Sequence, residues 1–198
     1  MHRRWLLWAI LAAFYLGFRL WYDGGGGPLR ADEVERYVAT FEQRGVPPAR
    51  IAKLREFLSS DTGSDFVMAN LIHLQPNADA QQQLDRYMAH MYPALFRRGC
   101  HPVLAGPVVG AALDEWGVED GDRWSMVGLV RYRSRRDMIE IAADPAFRDA
   151  HLFKQAAMSQ TIAVPVEPFL SLASPRWSVA LVLVTVGALA QLALGRRR

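Results

Sequence analysis

Long apolar runs lie at both ends of this chain, and segments of mixed polarity fill the middle. The first run covers residues 5–22, "WLLWAILAAFYLGFRLWY", and only Arg19 interrupts it. The second covers residues 177–194 and has Thr185 and Gln191 as polar positions in its interior. As a helix, each run is about 27 Å long, which is close to the ~30 Å hydrocarbon core of a bilayer. The pattern therefore predicts two transmembrane helices.

The first run also has features of a secretory signal peptide, because the basic sequence "MHRR" precedes it. The sequence at the end of the run, "FRLWYDGGGG", is bulky and lacks the small residues of a cleavage site before the glycines. This difference favours an uncleaved membrane helix over a signal peptide.

The segment after the first run predicts a linker and then a helical hairpin. Residues 23–30 contain "DGGGGP", which is typical of a flexible linker. Residues 31–64 contain two short stretches with helical spacing of their apolar residues. These apolar positions are Val34, Val38, Phe41, Ile51, Leu54 and Leu58. Helices this short are marginal alone, so their apolar faces are expected to pack on a larger body.

Residues 65–168 alternate between strand-like and helix-like patterns. Four short apolar segments predict strands: "FVMANLIHL", "CHPVLAGPVV", "DRWSMVGLVRY" and "QTIAVPVEP". One amphipathic helix follows the first strand, and a second helix, divided at Pro145, follows the third. Ser134 and Asp137 are spaced as a capping box at the start of that second helix. The order βαββαβ predicts an α+β, ferredoxin-like fold with an antiparallel sheet in the order 4-1-3-2 and helices on one face.

The first and third predicted strands are apolar at alternating positions on both faces, so the sheet face away from the helices also needs cover. A second copy of the chain would cover it if the two sheets packed back to back. The sequence therefore predicts a homodimer.

The segments "DFVMANLIHL", "HPVLAGPVV" and "DRWSMVGLVRYRSRRDMIEIAADPAFRDA" resemble the dimeric α/β-barrel superfamily, and within it the domain of unknown function 1330 family. The resemblance covers residues 65–168 and implies a ferredoxin-like fold and a homodimer. Members of the superfamily include cofactor-poor oxygenases, isomerases, haem enzymes and proteins without enzymatic activity, so the resemblance leaves the function open. Two flanking transmembrane helices depart from the usual small soluble member.

The positive charge of the chain belongs to its ends. The net charge is +3 and the pI is about 9.3, but residues 23–175 contain 16 basic and 20 acidic residues. The middle is therefore acidic, and this argues against nucleic-acid binding. Arginines precede the first run and follow the second, at positions 3–4 and 196–198. By the positive-inside rule both termini are cytoplasmic, and the central domain lies outside the inner membrane of a bacterial cell.

The sequence contains few motifs that are typical of a catalytic or metal-binding site. No zinc-binding spacing, glycine-rich phosphate loop or nucleophile elbow occurs, so we expect no metal and no cofactor. Cys100 and His101 are adjacent in a predicted strand, so they point to opposite faces and cannot form a nucleophile and base pair.

His101 is the most promising histidine, because the end of the third strand, with Arg131 and Tyr132, is expected at the same sheet edge. We therefore take His101 and Tyr132 as candidate catalytic residues. Asn70, a polar residue inside an apolar strand, and Met88 are candidate lining residues of a ligand cavity, with a core polar network as the alternative for Asn70. Arg131 and Arg135, in "RYRSRR", are candidate anion-binding residues, with a solvated, ion-paired loop as the alternative.

These observations lead to two hypotheses. The first is a membrane-bound extracytoplasmic module that binds a small ligand or a partner protein. The second is a cofactor-poor enzyme of oxygenase or isomerase type that acts on a small lipid-soluble or aromatic compound. Whether the protein is an enzyme stays open at this level.

Overall fold

The computed structural model describes residues 2–24, 26–114, 116–117, 124–171 and 174–196. The chain divides into two compact units, Met1–Gly24 with Pro168–Arg198 and Gly25–Glu167. We call the first the terminal unit and the second the central unit.

The terminal unit is a pair of long helices, α1 (His2–Asp23) and α7 (Pro175–Arg196). They run antiparallel, because Trp8 Nε1 donates a hydrogen bond of 2.9 Å to Gln191 Oε1, while Arg176 near the other end lies 2.7 Å from Asp23. Gly187 lets the helices approach: a Cβ at this position would lie 2.6 Å from the Trp8 ring. By length and composition, the segments Trp5–Asp23 and Pro175–Ala193 could each cross a membrane, although a signal sequence passes the same test.

The central unit contains the predicted α+β fold, which confirms the fold class. Its strands are β1 (Phe66–Leu74), β2 (His101–Pro107), β3 (Met126–Tyr132) and β4 (Met158–Val166). They form one sheet in the order β2-β3-β1-β4 with every neighbouring pair antiparallel. The helices of this part are α4 (Ala80–Arg97), α5 (Arg135–Ala143) and α6 (Pro145–Ala157).

Local sequence signals explain where these elements begin and end. Ser134 caps α5 by accepting a hydrogen bond from the Asp137 backbone N–H, and Pro145 begins α6 where α5 has ended. Gly99 follows α4 with φ of 66°, a conformation that glycine adopts without strain. Strand β2 ends at Pro107 on the edge of the sheet, and its register with β3 shifts between Pro102 and Leu104.

Helices cover one face of the sheet and leave the other exposed. Ile72 belongs to the core cluster that the sheet shares with α4, α5 and α6, together with Leu84, Met91, Leu95 and Ile141. The opposite face of the strands carries Val67, Ala69, Leu71, Val127, Leu129, Ile162, Val164 and Val166. We call these residues the outer sheet face. Ile162 and Val164 are 48% and 49% exposed, so this face is an apolar surface without cover in the protomer.

The helical hairpin, α2 (Ala31–Gln43) and α3 (Pro48–Ser59), packs against α5. Val34, Val38, Ile51 and Leu58 form a buried cluster with Ile139 of α5. This contact supplies the larger body that the apolar faces of two short helices require.

Arginine ion pairs reinforce the contact between hairpin and α5. Arg136 of α5 binds Glu33 of α2 through both carboxylate oxygens, at 2.6 and 3.0 Å. Arg44, which follows α2, donates hydrogen bonds to the carbonyl oxygens of Ala142 and Ala143 at the end of α5. A cation at the C-terminal end of a helix is favourable.

The hairpin contact is expected to weaken in acid. Hydrogen bonds from Arg136 and from the Arg30 backbone lower the pKa of Glu33 from 4.5 to about 2. A lowered carboxyl pKa stabilises the fold fully above about pH 4.5, and this stabilisation is lost as the pH falls towards 2. The protection factors of the α2 amides, which correct hydrogen exchange for the pH dependence of its intrinsic rate, should therefore fall between pH 4.5 and 2 in the wild type. Glu33→Gln should show less of this pH dependence, whereas Glu35→Gln, at an exposed ion pair with Arg55, should retain it.

Candidate ligand-binding site

A cavity of about 260 Å³ lies between the inner face of the sheet and helices α4, α5 and α6. Its walls are mostly apolar. Aliphatic, methionine and aromatic side chains predominate, among them Met68, Ile72, Leu84, Met88, Met91, Leu95, Met126, Val130, Ile141 and Phe147. This volume is just below the range of roughly 300–1,000 Å³ found for small-molecule pockets. The cavity therefore fits a small, mostly apolar molecule.

Four of the lining residues are exposed, and they lie on α4 and on both edge strands of the sheet. Tyr92 on α4 and Leu104 on β2 are 39% and 56% exposed. Ala105 on β2 and Ala163 on β4 are exposed as well, so the cavity has exposed lining at both edges of the sheet.

Asn70 brings an amide group to the cavity from the middle of β1. Its side-chain nitrogen donates hydrogen bonds of 3.0 Å to the carbonyl oxygens of Met68 and Gly128. Because both partners are acceptors, the amide is fixed with nitrogen towards the strands. No residue that the structure describes donates a hydrogen bond to Asn70 Oδ1. This oxygen can therefore accept one from a ligand.

Two phenol groups line the cavity. Burial raises the pKa of Tyr87 to about 12 and also raises that of Tyr132 well above its usual range. The Tyr132 ring stacks on Phe66, with ring centroids 5.4 Å apart. Both hydroxyl groups are therefore protonated at neutral pH, and each can donate a hydrogen bond to a ligand rather than act as a base.

Lys154 supplies a positive charge to the same cavity from α6. Its amino nitrogen lies 5.8 Å from the centre of the Tyr87 ring, a cation–π contact. Burial lowers the pKa of this amine. No acidic side chain within the described ranges forms an ion pair with it, and no acidic residue lines the cavity.

We expect Lys154→Met to stabilise the unliganded protein at neutral pH. Burial of the amine disfavours its charged form, so folding carries a penalty below the lowered pKa. This penalty disappears as the pH rises through the lowered pKa towards the ordinary lysine value of about 10.4. Methionine has a similar length and no charge, so the melting temperature should rise by roughly a few degrees. Differential scanning fluorimetry measures the melting temperature. Lys53 is exposed on α3, so the control variant Lys53→Met should show no such rise.

The structure places the sequence-based candidates in different locations. Asn70, Met88 and Tyr132 line the cavity, whereas His101, Arg131 and Arg135 are not among its lining residues. His101 pairs with Arg131 across β2 and β3, so it lies on the sheet face opposite to Tyr132. Its ring Nδ1 lies 2.9 Å from the Pro102 carbonyl oxygen. The two candidate catalytic residues are therefore not brought together at one site.

The arginines of "RYRSRR" are engaged in ion pairs and backbone contacts. Arg131 donates to Asp65 at 2.7 Å and to the Gly99 carbonyl at 2.9 Å. Arg135 stacks over Phe57 of α3 and donates to Ser60 at 2.7 Å and to Glu167 at 3.1 Å. Both side chains thus hold segments of the central unit together, which matches the ion-paired alternative more closely than a site for a free anion.

Cys100 has no features of a nucleophile. It is buried, and burial raises its pKa to about 11. The thiol is therefore protonated at neutral pH. Across the described part of the chain, no group of three His, Cys, Asp or Glu side chains is arranged to hold a metal ion.

Lys154 was not among the residues predicted to form a site, although the helical spacing of α6 contains a signal for it. Phe147, Ala150, Lys154 and Ala157 recur at intervals of three and four residues on α6. Ala150 and Ala157 are buried and Phe147 packs on the core, so the lysine lies on the inward face of the helix. A charged residue on an apolar helical face is a reason to look for a site.

Neither a protein family nor a curated protein matches the sequence of this chain. In fold, it is similar to the methylated RPA0582 protein, with 23% identity and a TM-score of 0.52 over 65% of this chain and 96% of that chain. A second structure of RPA0582, a protein of unknown function from Rhodopseudomonas palustris, has 20% identity and a TM-score of 0.46 over 64% and 97%. A dimeric ferredoxin-like protein of unknown function from Jannaschia sp. CCS1 has 12% identity and a TM-score of 0.40 over 53% and 100%. These likenesses concern the fold alone, and membership of the domain of unknown function 1330 family stays a prediction.

Proposed function

We propose that this protein is a membrane-bound homodimer whose central unit binds a small, mostly apolar molecule in the cavity between sheet and helices. The cavity itself is the observation that carries the proposal. Its apolar walls favour an apolar body, and Asn70 Oδ1 and the two phenol groups offer a few fixed hydrogen-bonding positions.

Gly128 provides a direct test of this function. It lies on β3 and lines the cavity, and a Cβ at this position would meet nothing within 4 Å. Gly128→Leu would therefore fill the cavity without a clash in the backbone. Equilibrium dialysis of the full chain, with the same detergent concentration on both sides, measures binding of 2-naphthamide as a neutral probe.

The wild type should bind this probe, and Gly128→Leu should bind it at least about tenfold more weakly. Gly110→Leu is the matched control, because Gly110 also has open space at its Cβ but is exposed and lies outside the cavity lining and the sheet. Equal binding by the wild type and Gly128→Leu would exclude the cavity as the binding site.

The membrane part of the proposal is supported by α1 and α7, which are long and apolar enough to cross a bilayer. Their antiparallel pairing suits two helices that enter and leave the same membrane. With arginines beyond both spans, the termini would be cytoplasmic and the central unit extracytoplasmic. Topology reporters inserted after Gly27 and fused after Arg198 should lie on opposite sides of the membrane. The same side for both would contradict this arrangement.

An enzyme is the second candidate, because Tyr132, Tyr87 and Lys154 present proton-carrying groups to one apolar cavity. The substrate would be a small lipid-soluble or aromatic compound, and the protonated phenol of Tyr132 would donate a hydrogen bond to it. In that case Tyr132→Phe would lower turnover far more than it weakens the binding of 2-naphthamide.

A further inference from the structure

The basic residue in the cavity is a lysine, a residue type that is rare in this chain. Of the 23 basic residues only two are lysines, Lys53 and Lys154. Lys53 is exposed on α3, whereas Lys154 reaches the cavity from the inward face of α6. Each arginine around the start of α5 is matched by a carboxylate, as with Arg133 and Asp137 or Arg136 and Glu33. Lys154 has no such partner among the residues described.

A charge held in an apolar cavity without a counter-charge is unfavourable, and it becomes favourable when a ligand brings the opposite charge. The other polar groups of the cavity suit the same kind of ligand. The hydroxyl groups of Tyr87 and Tyr132 can donate hydrogen bonds to an anion, and no lining residue is acidic. Asn70 Oδ1 is an acceptor and is suited to a hydroxyl or N–H elsewhere on the same ligand.

We infer that the ligand of this cavity is a small monoanion, a carboxylate or an enolate on an aromatic or otherwise apolar body, and that Lys154 binds its negative oxygen. This inference rests on the proposed ligand-binding function and adds the charge of the ligand to it. The apolar body lies against the methionine and leucine side chains of α4, and the cation–π contact with Tyr87 holds the amine at the cavity wall.

The test compares two probes of nearly equal shape, 2-naphthoate and 2-naphthamide, which differ in charge. Equilibrium dialysis uses the full chain in a neutral detergent at pH 7, with micelles at equal concentration on both sides so that partitioning cancels. We expect the wild type to bind 2-naphthoate at least about tenfold more tightly than 2-naphthamide, since a hydrogen bond to a charged group contributes about 1.5–3 kcal/mol.

Lys154→Met should remove this preference, because methionine keeps the length and loses the charge. Lys154→Arg should retain part of it, and Lys53→Met should leave it unchanged. Circular dichroism of the full chain identifies a folded Lys154→Met protein, and the ratio of its affinities for the two probes measures the preference.

The outcomes separate the two proposals. Equal affinity of the wild type for both probes overturns the anion preference and leaves the cavity as a neutral binding site. If Lys154→Met still prefers 2-naphthoate over 2-naphthamide, the inference that Lys154 binds the negative oxygen is overturned. Failure of both probes to bind overturns the proposed function together with this inference.

Discussion

Replacing Asp137 by alanine is expected to lower the free energy of unfolding of the central unit by about 3–5 kcal/mol. Asp137 is 3% exposed and accepts hydrogen bonds from Arg133 at 2.7 and 2.8 Å and from the Ser134 hydroxyl at 2.7 Å. Alanine would leave the Arg133 guanidinium without its carboxylate in a mostly buried position. Removing one partner of a buried ion pair costs more free energy of unfolding than an exposed ion pair contributes.

Asp144→Ala is the matched control for this prediction. Asp144 is exposed and caps α6 by accepting a hydrogen bond of 2.8 Å from the Ala146 N–H. Loss of an exposed cap costs about 1 kcal/mol. Urea unfolding of the full chain, followed by circular dichroism, measures both variants. Equal losses for Asp137→Ala and Asp144→Ala would contradict a special contribution of the buried pair.

The capping motif at Asp137 also shows how far the sequence predicts the fold. Ser134, Asp137 and Pro145 predicted where α5 begins and where α6 follows it, because caps and prolines act through local backbone hydrogen bonds. The short, mostly apolar segment Phe66–Leu74 likewise predicted β1. Local rules of this kind do not depend on the rest of the chain.

The site was less predictable, because it depends on the register between strands and on which helical face is covered. His101 and Tyr132 belong to adjacent strands and reach the same edge of the sheet, yet the pairing of His101 with Arg131 puts them on opposite faces. A shift of one residue would have put them on the same face, and a single sequence does not determine that shift. Arg135 was a candidate anion-binding residue, but its partners Ser60 and Glu167 come from distant parts of the chain.

The proposed homodimer leads to the second large expected effect. In the outer sheet face Val164 on β4 is 49% exposed and is paired with Ala69 on β1. If two outer sheet faces pack together, arginine at position 164 would bring an unpaired charge into an apolar interface, which costs several kcal/mol. We expect Val164→Arg to raise the dimer dissociation constant by about 100-fold or more, which corresponds to about 2.7 kcal/mol.

Leu152→Arg provides the control, because it introduces the same charge in place of an aliphatic side chain on α6. Leu152 is 64% exposed and lies on the helical side of the central unit, away from the outer sheet face. Analytical ultracentrifugation of the full chain in density-matched detergent should give a monomer for Val164→Arg and a dimer for the wild type and Leu152→Arg. A dimer that persists in Val164→Arg would place the interface elsewhere, for example on the terminal helices. In that case the apolar outer sheet face would require a different partner, because aliphatic side chains exposed over three neighbouring strands are not stable against association in water.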